Sequence, residues 1–286
     1  MLKEFQVAKR QLLSDAIAEN TDLGYFRVLK TIKDKSVKVN KERVGVDCNV
    51  QPGDVVAVYM RDRDILCADV LYKDDHILVA NKPSGIEVVG DKSLQTMVNN
   101  TLDNGTATAV HRLDRNTMGL VVFALNKTAE RELLESFKVR EIDKTYNAIV
   151  VGHPRQNSGV IKNYLFKDAK KSMVYVSETH KTGYVPAETR FRVVKNLGNL
   201  SLVELKPITG RTHQLRVQMA HMQTPILGDG KYGVNSINKK YRVSTQLLAC
   251  VKITFHFAKG PLKYLDGKSV VSNVDLTQHY KKNVTN

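Results

Sequence analysis

The sequence predicts an α+β protein: a mostly antiparallel mixed sheet with flanking helices, preceded by a small α+β domain. From about residue 74 onward, short apolar segments of strand length recur between turns, and helical patterns lie between some of them. The first sixty residues have a separate pattern of two short helices and a hairpin. Apolar residues make up 42% of the 286 residues, which is enough to bury a core without disulfide bonds or metals.

Residues 1–60 are expected to form the small α+β domain. Apolar residues at helical spacing predict one helix around residues 12–17 and a second around residues 28–32. Residues 37–44 alternate apolar and polar side chains about an asparagine turn, which is typical of a β-hairpin. A charged stretch, residues 61–73, is expected to link this domain to the next one.

Residues 74–286 predict a larger domain dominated by strands. Strands are expected at His76–Ala80, Leu120–Leu125, Tyr146–Val151, Phe191–Val194, Leu200–Leu205 and Val251–Phe257. One helix is expected to begin near Thr128, which can cap it, and another to span residues 212–222.

The net charge of +15 is concentrated in two places, which favours a polyanionic partner. Residues 151–286 hold 22 Lys and Arg against 7 Asp and Glu, and a second basic cluster lies in residues 27–43. Such an arrangement suits phosphate contacts along an extended track, so nucleic acid is the expected partner. The alternative is a solvated basic face that only keeps the protein in solution. The candidate RNA contacts in the small domain are Arg27, Lys30, Lys33 and Lys38.

Secreted, membrane and disulfide-rich proteins are excluded as classes. No apolar run approaches the roughly 18 residues of a membrane span, and the first residues lack the apolar core of a signal peptide. The three cysteines, Cys48, Cys67 and Cys250, are scattered and do not predict a disulfide framework or a zinc site. We therefore expect a cytoplasmic protein without membrane association. No heptad pattern predicts an oligomer, so a monomer is expected.

Two polar segments carry residues suited to chemistry. The first reads HRLDRNTMGL and places Asp114 between Arg112 and Arg115, whose charges should keep the carboxylate ionised. Alternatively, this carboxylate caps a turn. The second reads PITGRTHQLR, in which Arg211 precedes a predicted helix and can pair with a carboxylate. Alternatively, this arginine fastens the loop to the helix.

A metal site is a further alternative, and it would make the protein a metal-dependent hydrolase. Its ligands would be His111, Asp114, His213 and His221. The spacing does not match a known zinc motif.

Taken together, the two segments resemble the RluA-type pseudouridine synthases. HRLDRNTMGL is similar to the HRLDxxTSGL motif of that family, and PITGRTHQLRVQMAHMQTPILGDGKYG resembles its segment from GRTHQ to GDxxYG. KTYNAIVVG, which begins at Lys144, resembles the KxYxAxVxG strand, and NKPSG resembles the NKPxG turn. The four motifs occur in the family's order over roughly residues 76–257. Residues 1–60 resemble the RNA-binding domain shared with the fourth protein of the small ribosomal subunit.

The resemblance implies the pseudouridine synthase catalytic fold, with no cofactor and no metal. The reaction it implies joins the ribose of a flipped uridine in structured RNA to carbon 5 of the base. By motif position Asp114 is the essential carboxylate, which either attacks the anomeric carbon or removes a proton from the adjacent ribose carbon. Arg211 is expected to pair with Asp114, and Tyr146 to stack on the flipped uracil. Arg112 is expected to fill the space that the base vacates, and Arg115 to contact RNA.

Departures from the family motifs leave the subfamily open. Met118 stands where the family usually has serine, and Leu248 stands where it usually has histidine. Large-subunit ribosomal RNA is the favoured substrate and transfer RNA the alternative. A non-catalytic RNA-binding or ribosome-assembly protein on the same scaffold is the alternative to an enzyme.

Overall fold

The structure is a computed structural model that describes residues 2–21, 23, 25–59, 68–102, 106–278 and 280, without the side chains of residues 25–27. The chain forms two compact units. The first unit comprises Met1–Lys82, Glu87–Val110 and Val121–Glu130, and the second comprises Pro83–Ile86, His111–Leu120 and Arg131–Asn286. In the described part of the chain, no helix is both long and apolar enough to cross a lipid bilayer.

The described residues contain six α-helices and seventeen strands. The helices are α1 (Leu13–Asn20), α2 (Tyr25–Lys33), α3 (Leu94–Thr101), α4 (Lys127–Val139), α5 (Gln214–His221) and α6 (Asn235–Lys240), and a 3-10 helix covers Lys263–Leu265. The strands are β1 (Leu2–Gln6), β2 (Gln11–Leu12), β3 (Val37–Val39), β4 (Glu42–Val44), β5 (Asn49–Val50), β6 (Val55–Tyr59), β7 (Asp69–Lys73), β8 (Ile77–Lys82), β9 (Thr108–Ala109), β10 (Met118–Ala124), β11 (Ile142–Val151), β12 (Ser158–Asp168), β13 (Met173–Ser177), β14 (Val185–Leu197), β15 (Leu200–Pro207), β16 (Leu248–Phe255) and β17 (Ser269–Val271).

Residues 2–59 have a hydrophobic core of their own within the first unit. Leu13 and Ile17 of α1 pack with Val28 and Ile32 of α2, and all four side chains are buried. These helices accompany a sheet of order β1-β6-β3-β4. The two helices and the hairpin predicted from the sequence are therefore confirmed.

The segment expected to be a linker, residues 61–73, is only partly described. Residues 60–67 lie outside the described residues. Asp69–Lys73 form β7, which pairs antiparallel with β8, so this end of the predicted linker is wrong. Val70 is buried in that pairing, but residues 70–72 are a short apolar run that follows a charged stretch, which is too weak a pattern to predict a strand.

The helix expected near Thr128 is present as α4, but its first turn is capped differently. The Asn126 side-chain oxygen accepts a hydrogen bond from the Ala129 backbone N–H at 2.9 Å. Asn126 therefore supplies the N-terminal cap predicted for Thr128.

The second unit is built on a large, mostly antiparallel sheet. Its strand order is β13-β12-β14-β15-β11-β16-β10, and β17 pairs with β16. β10 is parallel to β16, whereas β11 is antiparallel to both β15 and β16. The α+β class and the six predicted strands are confirmed, but the β12-β13 hairpin was not predicted.

One face of this sheet carries α5. Val217 of α5 packs in one hydrophobic cluster with Leu165 of β12, Val174 of β13 and Ala187 of β14. Six consecutive residues of α5 are buried, from Gln214 to Met219. The polar side chains of this part of the helix are therefore buried together with its apolar ones.

Candidate active site

The HRLD segment forms a tight loop that leads into β10. The Asp114 carbonyl oxygen accepts a hydrogen bond from the Thr117 backbone N–H at 2.9 Å, and the neighbouring Leu113 is buried. The Gln246 side-chain amide donates to the Thr117 hydroxyl at 2.7 Å. These contacts fix the backbone that carries the Asp114 carboxylate.

Two further contacts explain why the loop needs its glycine and its second arginine. Gly119 has a φ of +101°, and a Cβ there would lie 2.1 Å from the Cys250 carbonyl oxygen, so only glycine fits. The Arg115 Nε donates to the Gly85 carbonyl oxygen at 2.9 Å, and the Gly85 N–H donates to the Arg115 carbonyl oxygen at 3.0 Å. The NKPxG turn thus holds the HRLD loop in place.

An arginine between two carboxylates lies at the centre of the site. The Arg216 Nη1 donates to Asp114 Oδ2 at 3.0 Å. Its Nε and Nη2 donate to the two oxygens of Asp229 at 2.7 and 2.9 Å. The bidentate pair with Asp229 fixes the plane of the guanidinium, and the remaining nitrogen orients Asp114.

In this cluster burial disfavours the ionised side chains, whereas the opposite charges of their neighbours favour them. The side chain of Arg216 is 10% exposed and that of Asp229 is 1% exposed. Burial opposes the charged form of Arg216, but Asp229 and then Asp114 hold its pKa above the usual value. Burial alone would raise the pKa of Asp229, but Arg216 and two backbone N–H groups hold it below the usual value. Both groups are therefore ionised at neutral pH.

His213 and Tyr232 border the same carboxylate. His213 Nε2 lies 3.8 Å from Asp114 Oδ2, and His213 Nδ1 is 2.8 Å from the Tyr232 hydroxyl. Burial lowers the pKa of His213. The Arg216 guanidinium carbon lies 5.2 Å from the centre of the Tyr232 ring. These two side chains close one side of the space around Asp114.

Tyr146 lies in β11 at a break in the strand register. The pairing of β11 with β16 shifts between Thr145 and Tyr146, which is typical of a β-bulge that redirects a side chain. Burial raises the pKa of Tyr146 well above its usual value, and Cys250 and Asp114 raise it further. The hydroxyl therefore stays protonated at neutral pH.

The prediction that Arg211 pairs with Asp114 is wrong. Arg211 is exposed, and its Nε donates to the Pro186 carbonyl oxygen at 3.3 Å. It therefore fastens the loop to β14, whereas the alternative left open by the sequence was a contact between the loop and the helix. Arg216 forms the ion pair that we expected for Arg211.

The sequence contains one signal that marks Arg216 as a second candidate for this ion pair. It lies between Leu215 and Val217 in a helix whose neighbouring residues are buried. An arginine buried in a helix needs a carboxylate partner, and Asp229 follows in the Gly-Asp-Gly segment. The left-handed backbone of His213, with φ of 53°, starts the helix at Gln214, two residues later than predicted, and Arg211 precedes it.

The other residues predicted to contact RNA differ in their exposure and in their contacts. Arg112 is exposed beside the buried Leu113, whereas Arg115 is exposed but holds Gly85. In the first unit Lys30 is half-buried, Lys33 is exposed, and the Lys38 ammonium lies 5.4 Å from the centre of the Tyr59 ring. The side chain of Arg27 lies outside the described residues.

The alternative metal site does not form. His111 packs against Phe137 with ring centres 4.8 Å apart, and burial lowers its pKa to about 3. His221 contacts Glu178 instead of Asp114. Across the residues that the structure describes, no three His, Cys, Asp or Glu side chains are grouped so that they could hold a metal ion.

Known proteins that are similar to this chain define its family. The sequence model of the family described as RNA pseudouridylate synthase matches residues 76–221. Ribosomal large subunit pseudouridine synthase C of Vibrio cholerae is 33% identical over 228 residues, which cover 72% of this chain and 71% of that protein. Dual-specificity RNA pseudouridine synthase RluA of Yersinia pestis is 47% identical over 174 residues, 57% of this chain and 81% of that protein.

A solved structure supports the same assignment. Human RNA pseudouridylate synthase domain containing 1 superposes with a TM-score of 0.60 at 25% identity, and the match covers 78% of this chain and 98% of that one. The fold is thus shared with an RNA pseudouridylate synthase domain. The chain belongs to the RNA pseudouridylate synthase family. It is an RNA pseudouridine synthase, and the enzyme class predicted from the motifs is confirmed.

Proposed function

We propose that the enzyme modifies uridines of large-subunit ribosomal RNA, as a monomer in the cytoplasm. The name of the Vibrio cholerae relative states that class of substrate for that protein. The 22 Lys and Arg of residues 151–286, against 7 Asp and Glu, suit a large polyanion. Transfer RNA is the alternative substrate.

In the proposed mechanism the two oxygens of Asp114 have different tasks. Oδ2 is held by Arg216 at 3.0 Å, whereas Oδ1 makes no hydrogen bond with any described residue. The side chain is 22% exposed, so the carboxylate is accessible to the ribose of a bound uridine. This division is the observation that carries the proposal, because a carboxylate that only capped a turn would use its oxygens on local N–H groups.

The chemistry is an isomerisation. The bond between nitrogen 1 of uracil and the anomeric carbon breaks, the base turns, and carbon 5 bonds to the same ribose carbon. Carbon 5 loses a proton and nitrogen 1 gains one, so the product has the composition of the substrate. Asp114 starts bond cleavage either as a nucleophile at the anomeric carbon or as a base at the adjacent carbon.

The remaining side chains hold the reacting groups. Arg216 orients Asp114, Tyr146 stacks on the flipped uracil, and Arg112 enters the space that the base leaves. Base flipping is needed because the reacting atoms of a stacked uridine are not accessible. Arg115 acts through the loop that it fastens to Gly85 and contacts RNA with its exposed guanidinium.

The first sixty residues are proposed as a domain that binds RNA without taking part in the reaction, followed by the catalytic domain in residues 74–286. Support comes from the separate core of residues 2–59 and from exposed or aromatic-stacked lysines such as Lys33 and Lys38. The domain resembles the one shared with the fourth small-subunit ribosomal protein.

The test is pseudouridine formation in unmodified ribosomal and transfer RNA transcripts, with purified protein and EDTA present. Modified positions are mapped by reverse-transcription stops after carbodiimide treatment. Stops in large-subunit ribosomal RNA with the wild type, and none with Asp114→Asn, are expected. Stops only in transfer RNA would overturn the substrate assignment, and equal stops with the variant would overturn the role of Asp114.

A further inference from the structure

A second surface of the catalytic unit combines exposed aromatic rings with positive charge. It lies on the solvent side of the β12-β13 hairpin and the loop that follows it. We call it the aromatic face, and its rings are Tyr164, Phe166, Tyr175, His180 and Tyr184. Phe166 is 37% exposed and Tyr175 is 39% exposed. None of these residues takes part in the catalytic site described above.

The strand register places these rings on one side of the sheet. Phe166 of β12 is directly opposite Tyr175 of β13. Tyr164 lies two residues before Phe166 and therefore on the same side. The side chains that alternate with them, Leu165 and Val174, pack against α5 on the other side. The aromatic face is thus the surface of the hairpin that α5 does not cover.

The loop after β13 adds two rings to this surface. The Tyr184 ring stacks on Phe166 with centres 5.3 Å apart and an interplanar angle of 26°. The His180 ring meets Tyr164 edge to face at 5.4 Å. The loop is joined to the end of α5 through the contact between Glu178 and His221. An aromatic pair across two strands stabilises a hairpin, but that role does not account for rings recruited from a loop.

Cations surround the rings. The Lys181 ammonium lies 6.0 Å from the centre of the Tyr184 ring. Arg190 of β14 is exposed on the same face of the sheet, and Lys170 and Lys171 are exposed in the turn of the hairpin. These four cations form no ion pair with any described residue, and a fifth cation on this face, Lys162, pairs with Glu188 at 3.7 Å. The surface is therefore suited to an anionic ligand with flat rings.

The edge strand connects this surface to the catalytic site. β13 is the last strand of the sheet, and the Val174 N–H donates to the Tyr232 hydroxyl at 2.9 Å. Tyr232 in turn contacts His213, which borders Asp114. Tyr175, the next residue of the same strand, projects to the aromatic face. These contacts link the edge strand, which carries part of the aromatic face, to the residues that border Asp114.

We propose that the aromatic face is a second RNA site, on which unpaired bases flanking the target uridine stack. The inference rests on the proposed function, because it assigns further contacts to the same substrate. Flat bases stack on aromatic rings with little sequence preference, while the lysines and Arg190 meet the phosphates. A base-paired RNA helix cannot stack on this surface, because the faces of its bases are covered by neighbouring bases.

A tryptophan reporter tests the stacking directly, because the chain contains no Trp. Tyr175→Trp places one indole on the aromatic face, and Tyr264→Trp is the control at another exposed tyrosine of the second unit, 51% exposed. Each full-length variant is titrated with an oligouridine of about ten nucleotides, a length within the usual site sizes of single-strand-binding surfaces. Saturable quenching is expected at position 175 and not at 264. Binding by anisotropy without quenching at 175 would overturn the proposal.

Loss of the rings tests the contribution to affinity. Phe166→Leu with Tyr175→Leu keeps apolar strand residues but removes both rings, and Val160→Ala is the control on the same face of β12. The double variant is expected to bind the RNA substrate about 5- to 100-fold more weakly, and the control to change by no more than about twofold. The rate at saturating RNA is expected to be unchanged. Unchanged affinity of the double variant for RNA would overturn the proposal. The aromatic face would then be assigned to a protein partner instead.

The two proposals fail separately. If the wild type forms no pseudouridine while oligouridine still quenches the reporter, the proposed function falls and the RNA site stands. If the wild type forms pseudouridine while the reporter and the double variant show no effect, the RNA site falls and the proposed function stands.

Discussion

The charged side chains around Asp114 and those of residues 2–59 lie in opposite environments. Arg216 is 10% exposed and uses three nitrogens on two carboxylates. Lys33 is exposed, and Lys38 rests on the ring of Tyr59. The first arrangement is a fixed geometry within the protein, whereas the second offers charge to the solvent.

The difference predicts how each region responds to substitution. A buried charge that loses its partner is strongly destabilising, because the remaining group stays away from water. An exposed charge contributes little to folding but adds long-range attraction for a polyanion, which salt screens. Changes near Asp114 should therefore alter the chemical step and stability, and changes in residues 2–59 should alter affinity and its salt dependence.

The largest effect is expected from Asp114→Asn. The amide keeps the size of the side chain but removes the charge, so single-turnover pseudouridine formation should fall by about 10²- to 10⁴-fold. Affinity for RNA should change little. Asp143→Asn, at an exposed aspartate of β11 that contacts His256, is the control and should retain full activity. A variant at position 114 that keeps more than about a hundredth of the activity, the lower bound for lost acid–base catalysis, would contradict the assignment.

Arg216→Met and Arg211→Met separate the two arginines. The first substitution leaves Asp229 buried without its cation and should lower the free energy of unfolding by about 3–5 kcal/mol and reduce activity. The second removes an exposed loop contact and should change stability by no more than about 0.5 kcal/mol. Urea unfolding and single-turnover rates measure both.

A paired substitution sharpens this result. Arg216→Met combined with Asp229→Asn removes both buried charges and should recover part of the lost stability without recovering activity, because Asp114 still lacks its partner. Equal stability losses for the two arginine variants would contradict the geometry at Asp114.

An effect of intermediate size on the free energy of unfolding is expected when the pH is lowered. Burial, and then Lys144, lowers the pKa of His111 from 6.5 to about 3. The unfolded chain therefore binds a proton below about pH 6.5 that the folded chain does not bind, and stability falls as the pH drops through this window. From pH 6.5 to 5 this one histidine should cost up to about 2 kcal/mol.

His111→Gln is the variant that isolates this effect. Its free energy of unfolding, measured in urea at pH 6.5 and at pH 5, should fall less than that of the wild type by that amount. His256→Gln, at a histidine that is 49% exposed, is the control. Parallel pH profiles for wild type and His111→Gln would show that the histidine is accessible to protons in the folded state.

The smallest effect is expected from Lys33→Gln with Lys38→Gln. Affinity for RNA should fall at low salt, and the slope of log affinity against log salt should become shallower by up to about one per lost phosphate contact. The rate at saturating RNA should not change. A loss of rate with unchanged affinity would contradict the division of tasks between the two regions.

Local patterns were sufficient for most of the fold. The helices around Leu13 and Val28, and strands such as β8, β10 and β15, followed from apolar periodicity. The β12-β13 hairpin was missed because its solvent side carries Tyr and Phe where a polar residue is usual. β7 was missed because its charged surroundings were typical of a linker.

The motifs in the sequence determined by themselves that this chain is an RNA pseudouridine synthase and that Asp114 and Tyr146 are candidate site residues. They could not decide which arginine holds the carboxylate, since Arg211 and Arg216 are five residues apart and both lie near the start of α5. Only the tertiary structure shows that Arg216 holds the carboxylate. The left-handed turn at His213 sets where the helix begins, and the packing of Val217 on the sheet sets which face of the helix is buried. Hydrogen-bond partners depend on such packing between distant segments, which no local pattern contains.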